Sequence, residues 1–255
     1  MALLGYNGGL RGKPRIPSTS SASGIWDLDE QKIAASAGIW PGPVAPDPYW
    51  ANVSLLLHMD GSNGSTTFTD SSSNGLSMTL TGSVTLSTSQ IKYGSASGGF
   101  AAGKLTAPSS SALSMDADFT VEFWVYQTGN TGPYDTVVSA ANESNFMIRH
   151  ANDYAGVILN GNTNIANTLS FALNTWHHIA VVRNSGTYKV FKDGTDITTS
   201  TYTDSSTRDL SGLIIGDSSV SGRNFVGFID DFRITKGISR YNTTFTPPTA
   251  PFPNF

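Results

Sequence analysis

The 255-residue sequence contains no cysteine. That absence excludes disulfides, thiolate metal sites and a cysteine nucleophile, and it leaves the cellular compartment open. Charge is also scarce. Only 13% of residues are Asp, Glu, Lys or Arg, with a net charge of −4. A phosphate-binding surface needs an excess of Lys and Arg, so nucleic acid is not an expected partner. No apolar run approaches membrane-spanning length, and the N-terminus lacks the apolar core of a signal peptide. Neither membrane insertion nor standard secretion is expected. Glutamate is confined to Glu30, Glu122 and Glu143. A retaining glycosidase needs two carboxyl groups a few ångströms apart. Glu122 has Thr120 and Trp124 two residues away, not acids. There is no Gly-x-Ser-x-Gly elbow for a serine nucleophile. The chain is expected not to be an enzyme.

Gly, Ser, Thr and Asn are plentiful. With so little charge, the core must be built from strands and turns rather than charge-laced helices. Residues 1–50 stand apart. Gly8-Gly9, Pro14, Pro17, Pro41, Pro43, Pro46 and Pro48 break regular structure over most of this segment. Asp27 and Glu30 form a capping-box-like start, which predicts one short helix over 28–37 ended by Gly38 and Pro41. Trp26 and Trp40 bracket it. Each carries a large apolar area that calls for a surface to pack on. Residues 1–50 are expected to be an extended anchoring arm with partner-binding Trp26 and Trp40.

From Asn52 the pattern changes to period two. Val53 to Met59 reads as a strand ending at Asp60-Gly61. Phe119, Val121, Phe123 and Val125 share one face of a strand; Glu122, Trp124 and Tyr126 share the other. Ile179 and Val181 alternate with His178, Ala180 and Val182. Adjacent His177 and His178 face opposite ways, one packed and one on the surface. Tyr188 to Lys192 runs into Asp193-Gly194, a hairpin signal. The spacing predicts an all-β antiparallel sandwich over 51–246. The proline-rich 247–255 is expected to leave the domain as a tail. Trp124 and Tyr126, with His178 and Tyr188 on neighbouring strands, form a candidate ligand-binding aromatic surface. The alternative is that these rings pack under a loop or against the arm.

Gly227-Phe228-Ile229-Asp230-Asp231-Phe232-Arg233-Ile234-Thr235 puts two adjacent carboxylates inside a buried-looking strand. Such groups are costly unless paired, hydrogen-bonded or bound to a cation. Together with Phe119–Tyr126 and Trp176–Arg183, this run resembles the laminin-G-like branch of the concanavalin A-like lectin/glucanase superfamily over roughly residues 52–250. The resemblance implies two curved sheets in a jelly roll. It also implies a structural calcium, with Asp230 at the position of the calcium-binding Asp. Asp60, and in some measure Asp70, would supply the other end of the site. The doubled acid means Asp231 could share or replace the role of Asp230. Without a cation, Asp231 would pair with Arg233 or a turn amide.

A second resemblance is shorter. Ser23 to Gln31 followed by Ala37-Gly38-Ile39-Trp40-Pro41 is similar to a module of bacteriophage structural proteins. It implies a virion protein, a capsid decoration or tail or fibre component, on the outer surface of the particle and present in many copies. Its partners would be other phage capsid or tail proteins, reached through residues 1–50, with host-surface glycan as a further partner. The alternative is a secreted or cell-surface carbohydrate-binding module.

Overall fold

The computed structural model describes residues 45–255 apart from residues 133, 151–154, 162 and 221. Residues 1–44 of the expected arm, with the predicted helix over 28–37, Trp26 and Trp40, lie outside the described residues. Contacts group the chain into two units, Met1–Pro46 and Asp47–Phe255. The second is the sandwich.

Its strands are β1 (Val53–Leu57), β2 (Thr79–Ser87), β3 (Ser97–Thr106), β4 (Ser114–Met115), β5 (Phe119–Gln127), β6 (Asp135–Ser139), β7 (Phe146–His150) and β8 (Gly156–Leu159). They continue with β9 (Thr163–Asn164), β10 (Trp176–Asn184), β11 (Thr187–Lys192), β12 (Thr195–Asp196), β13 (Arg208–Asp209), β14 (Ile214–Ile215) and β15 (Val226–Lys236). Among the described residues the helical elements are two short 3-10 turns, Trp50–Asn52 and Ser111–Leu113. No helix there is long and apolar enough to cross a membrane.

The strand order is β12-β11-β10-β5-β15-β3-β14-β6-β7-β8-β9, with β1 added on β15 and β2 on β3; β4 and β13 pair separately. All these pairings are antiparallel. β3 is shared. Its first half pairs with β15 and its last residues pair with β14. Ala102, between the two halves, has φ +61, and the β2 register shifts opposite it. The path curls there into two layers, the expected jelly-roll sandwich.

The core lies between the layers. Val121, Phe123 and Val125 of β5 and Ile179 and Val181 of β10 meet Ile148, Val157, Leu159 and Ile215 from the other side. Period-two alternation gives this directly, since successive side chains leave a strand on opposite faces. The hairpin at Asp193-Gly194 forms as expected, with φ +50 and +77.

The outward face of the β10-β5-β15 layer is also largely buried, because the chain folds back over it. Phe252 is 3% exposed and packs with Val53, Leu56 and Trp50. Its N–H donates to Asp231 Oδ2 at 2.7 Å. Tyr241 and Phe245 cover Ala180, Val182 and Phe191. The expectation of a tail leaving the domain is therefore corrected: residues 237–252 strap the sheet. Their aromatic rings have apolar area to bury, and Ala180, Val182 and Phe191 offer the surface. Asp47, at the edge of the expected arm, belongs to the sandwich too. It is 6% exposed and pairs with Arg233 and Arg240.

Candidate functional site

The outward face reads as successive rows of directly opposed residues across β15, β5 and β10. They are Arg233–Glu122–Ala180, then Asp230–Trp124–His178, then Phe228–Tyr126–Trp176. Between Arg233 and Asp230 the register slips by one residue. The extra residue is accommodated as a bulge, with Asp231 at φ +47.

The first row is an ion network under the strap. Glu122 is fully buried. Its Oε1 accepts from Arg233 Nε at 3.0 Å and Nη2 at 2.7 Å, and its Oε2 accepts from the Tyr241 hydroxyl at 2.8 Å. His178 Nε2 lies 3.3 Å from the same Oε2. Burial alone would raise the Glu122 carboxyl. Arg233 outweighs it, with His178 and Arg240, and holds the group far below the usual carboxylate range. Burial and the Glu122 charge push the Tyr241 phenol up. A carboxylate locked as an anion between guanidinium groups is an anchor, not a proton donor.

The second row is roofed by residues 92–96. Asp230 Oδ2 accepts from the N–H groups of Lys92 at 2.9 Å and Tyr93 at 3.0 Å. Lys92 Nζ sits 3.8 Å above the Trp124 ring, and Tyr93 meets that ring edge-on at 5.9 Å. Burial raises Asp230 to about 7; the Asp231 charge adds to this against the Tyr93 and Lys92 N–H bonds. Asp60 holds the same segment from the other side. Its Oδ1 accepts from the Ser95 and Ala96 N–H groups and from the Ser95 hydroxyl. A Cβ at Gly94 would sit 2.1 Å from that oxygen, so only glycine fits beneath the carboxylate.

The calcium expectation is corrected in one respect. Asp60 and Asp230 reach the same short segment, but Asp231 does not join them. It faces His58 Nδ1 at 2.7 Å and the Phe252 N–H. The bulge turns it toward β1 and the strap. Asp70 is used up locally, accepting from Leu56, Ser72 and Leu76 N–H groups. Among the described residues no group of three or more His, Asp or Glu side chains is arranged to hold a metal. The carboxylate oxygens of Asp60 and Asp230 are of the kind a hard cation takes.

The expected aromatic surface is redistributed. Trp124 is 5% exposed and His178 is fully buried, 5.2 Å from Trp124. The 92–96 roof and the strap cover them. Tyr188 is on the opposite face, in the main core, edge-on to Phe119 at 5.9 Å. In β11 both faces carry aromatics, and it is Phe191 that points outward. His177 is not at the surface either; its Nδ1 pairs with Asp193 Oδ2 at 2.7 Å. Of the predicted set only Tyr126 stays half-exposed.

It has two partners that strand-end positions had hidden. Trp176 lies 5.4 Å from Tyr126 and Phe228 lies 6.0 Å away on the other side, and both are half-exposed. The third row is thus an aromatic line across three strands, just past the edge of the roof. A separate pocket of about 460 Å³ is lined by Asp116, Asp118, Arg183, Thr203 and Asp204 among others, with no aromatic side chain in its wall.

A family model described as the concanavalin A-like lectin/glucanases superfamily matches residues 97–238, more than half of the chain. No curated protein matches. Solved structures share the fold. One is domain 4 of AbnA, a GH43 extracellular arabinanase from Geobacillus stearothermophilus, in complex with arabinotriose. It is 18% identical, with a TM-score of 0.57, over 74% of this chain and 94% of that one. Another is the binding domain of Paraclostridial Mosquitocidal Protein 1, 15% identical with a TM-score of 0.55, over 74% and 49%. A third is the botulinum neurotoxin serotype D binding domain, 17% identical with a TM-score of 0.55, over 76% and 50%. The chain therefore spans almost all of the arabinanase domain and about half of each toxin binding domain.

Proposed function

This chain belongs to the concanavalin A-like lectin/glucanase superfamily, and from that premise we propose that it is a structural component of a bacteriophage particle. In this reading it is a capsid decoration or a tail or fibre component on the outer surface, present in many copies. Residues 1–50 attach it to other capsid or tail proteins through Trp26 and Trp40. The sandwich is displayed outward and holds host-surface glycan by non-covalent contacts. In this reading it performs no hydrolysis, which the commitment of Glu122 to Arg233 and Tyr241 supports. A calcium ion held by Asp60 and Asp230 would brace the 92–96 roof.

The observation that carries the reading is the change of composition along the chain. The sandwich unit Asp47–Phe255 is closed by its own strap. The preceding segment, rich in Pro and Gly with two bracketing Trp residues, is similar to a phage structural module. The likeness of the fold to an arabinanase domain solved with arabinotriose favours a second reading, a free carbohydrate-binding module with no viral context. Gradient sedimentation separates the two. A virion component travels with intact particles and stays with them through repeated washing. Recovery of the chain only in the free-protein fractions would reject the virion reading.

A further inference from the structure

The rows of the outward face are covered in sequence, and among the described residues the cover stops one row short. The Glu122 row lies under the strap, and the Trp124 row lies under Lys92 and Tyr93. The next row, Phe228–Tyr126–Trp176, is left half-exposed. A row of three aromatic side chains in water is costly, since each carries a large apolar area. Among the described residues the neighbouring row is roofed and this one is not. We propose that Phe228, Tyr126 and Trp176 form the binding platform for a neutral, extended oligosaccharide. The proposal rests on the glycan-adhesion reading above and names the surface that does it.

The chemistry of the row selects that occupant. The rings stand 5.4 and 6.0 Å apart, close to the step between successive sugar rings in an extended chain. Sugar rings present apolar C–H faces that pack against aromatic rings and hydroxyl rims that need hydrogen bonds. The row offers both. Trp176 and Phe228 are inclined at 56° and 70° to Tyr126, so they flank Tyr126 rather than form one flat sheet with it. The central phenol carries a hydroxyl of its own as hydrogen-bond donor and acceptor.

The row also continues as a shelf. In β3 the residue opposite Phe228 is Gly99, and in β2 the residue opposite Gly99 is Thr85. Gly99 leaves bare backbone beside the Phe228 ring; a Cβ there would touch Phe228 Cε1 at 3.4 Å. Thr85 is exposed and places a hydroxyl at the far side. From Thr85 to Trp176 the row carries no Asp, Glu, Lys, Arg or His. A charged ligand would find no counter-ion within it, which is why the occupant is a neutral saccharide.

The test uses the full chain in calorimetric titrations with cellohexaose, xylohexaose, maltohexaose and arabinotriose, and with sialyllactose as the charged comparison. At least one neutral oligosaccharide should bind, and sialyllactose should bind less well. Trp176→Ala and Phe228→Ala should each weaken that binding roughly tenfold or more, as central aromatic contacts commonly do. Thr85→Lys changes an exposed residue and keeps all three rings; it should weaken binding by filling the shelf. Unchanged melting curves identify these as binding effects. Native binding that persists in all three variants would overturn the platform while the adhesion reading stands. A chain that binds none of these sugars yet still attaches to host cells would likewise overturn only the platform; failure of both would overturn the adhesion reading as well. If the native chain forms a dimer that Trp176→Ala and Thr85→Lys dissolve, with sugar affinity unchanged, the row is a protein contact and the proposal fails.

Discussion

Replacing Glu122 by Gln keeps the shape of the side chain and removes one charge from a closed set. Arg233 and Arg240 are 4% and 8% exposed at their side chains, and the anions facing them are Glu122 and Asp47. In the variant, two buried guanidinium groups share one carboxylate. A Gln carbonyl can still accept from Arg233, and its amide can still face the Tyr241 oxygen. The loss is therefore mainly electrostatic. Removing one partner of a buried ion pair costs about 3–5 kcal/mol, because the other charge stays desolvated. For a unit of this size, about 2–4 °C of melting temperature accompanies each kcal/mol. Glu122→Gln should melt roughly 6–20 °C below the native chain at pH 7.

The pH dependence has a definite sign. The folded carboxyl titrates far below its unfolded value, held down by Arg233. Its stabilisation is complete above the unfolded pKa and is lost as pH falls toward the folded one. The gap between native and variant should shrink progressively once pH drops below the ordinary value of 4.5. Replacing the pair together, Glu122→Leu with Arg233→Met, should recover part of the loss, since apolar residues of similar volume need no partner. Circular dichroism melts across pH 3–8 read all three quantities. A Glu122→Gln variant within about 2 °C of the native chain at pH 7 would refute the network as a stabilising anchor.

Three further outcomes follow from the packing. Phe252→Ala should cost about 3–5 kcal/mol in denaturant titration and loosen the strap, because the ring fills the cluster with Val53, Leu56 and Trp50; a change below about 1 kcal/mol would mean the strap is not a working part of the fold. Gly194→Ala should destabilise by more than the usual ~1 kcal/mol for such a change, since the new Cβ would lie 1.8 Å from the Phe245 carbonyl oxygen at φ +77; an unchanged melt would contradict that close approach. If calcium is held by Asp60 and Asp230, adding it at a hundredfold excess over its dissociation constant should stabilise by about 2.7 kcal/mol, and chelation should reverse this. Asp230→Asn should abolish the effect and Asp231→Asn should not, whereas a melt indifferent to calcium and chelator would remove the ion from the account.

Much of the sandwich was legible because its strands alternate. Phe119–Gln127 and Trp176–Asn184 show period two, and the Asp193-Gly194 turn has the dipeptide that its positive φ angles require. What alternation does not show is what lies over a face. The outward residues of β5 looked open because the strap arrives from residues more than a hundred positions later. The same blindness made 247–255 read as a departing tail, since proline density excludes a strand and says nothing about docking. The pattern of β11 does not show which face Tyr188 takes, because large apolar residues lie on both. Asp231 was grouped with Asp230 because a one-residue bulge leaves no mark in sequence. Trp176 and Phe228 leave little signal in the sequence because each sits at or near the end of its strand, where pattern is weakest; their register with Tyr126 exists only once the sheet is assembled.

The central claim is that one part of the chain attaches and another part is displayed. A chain beginning at Ala45 keeps Asp47 and Trp50, which the sandwich uses; beginning at Asn52 would strip both. The Ala45 chain should melt like the sandwich of the full protein and retain any saccharide binding. Supplied during assembly in place of the full chain, it should be missing from purified particles. Incorporation equal to that of the full chain would contradict the account.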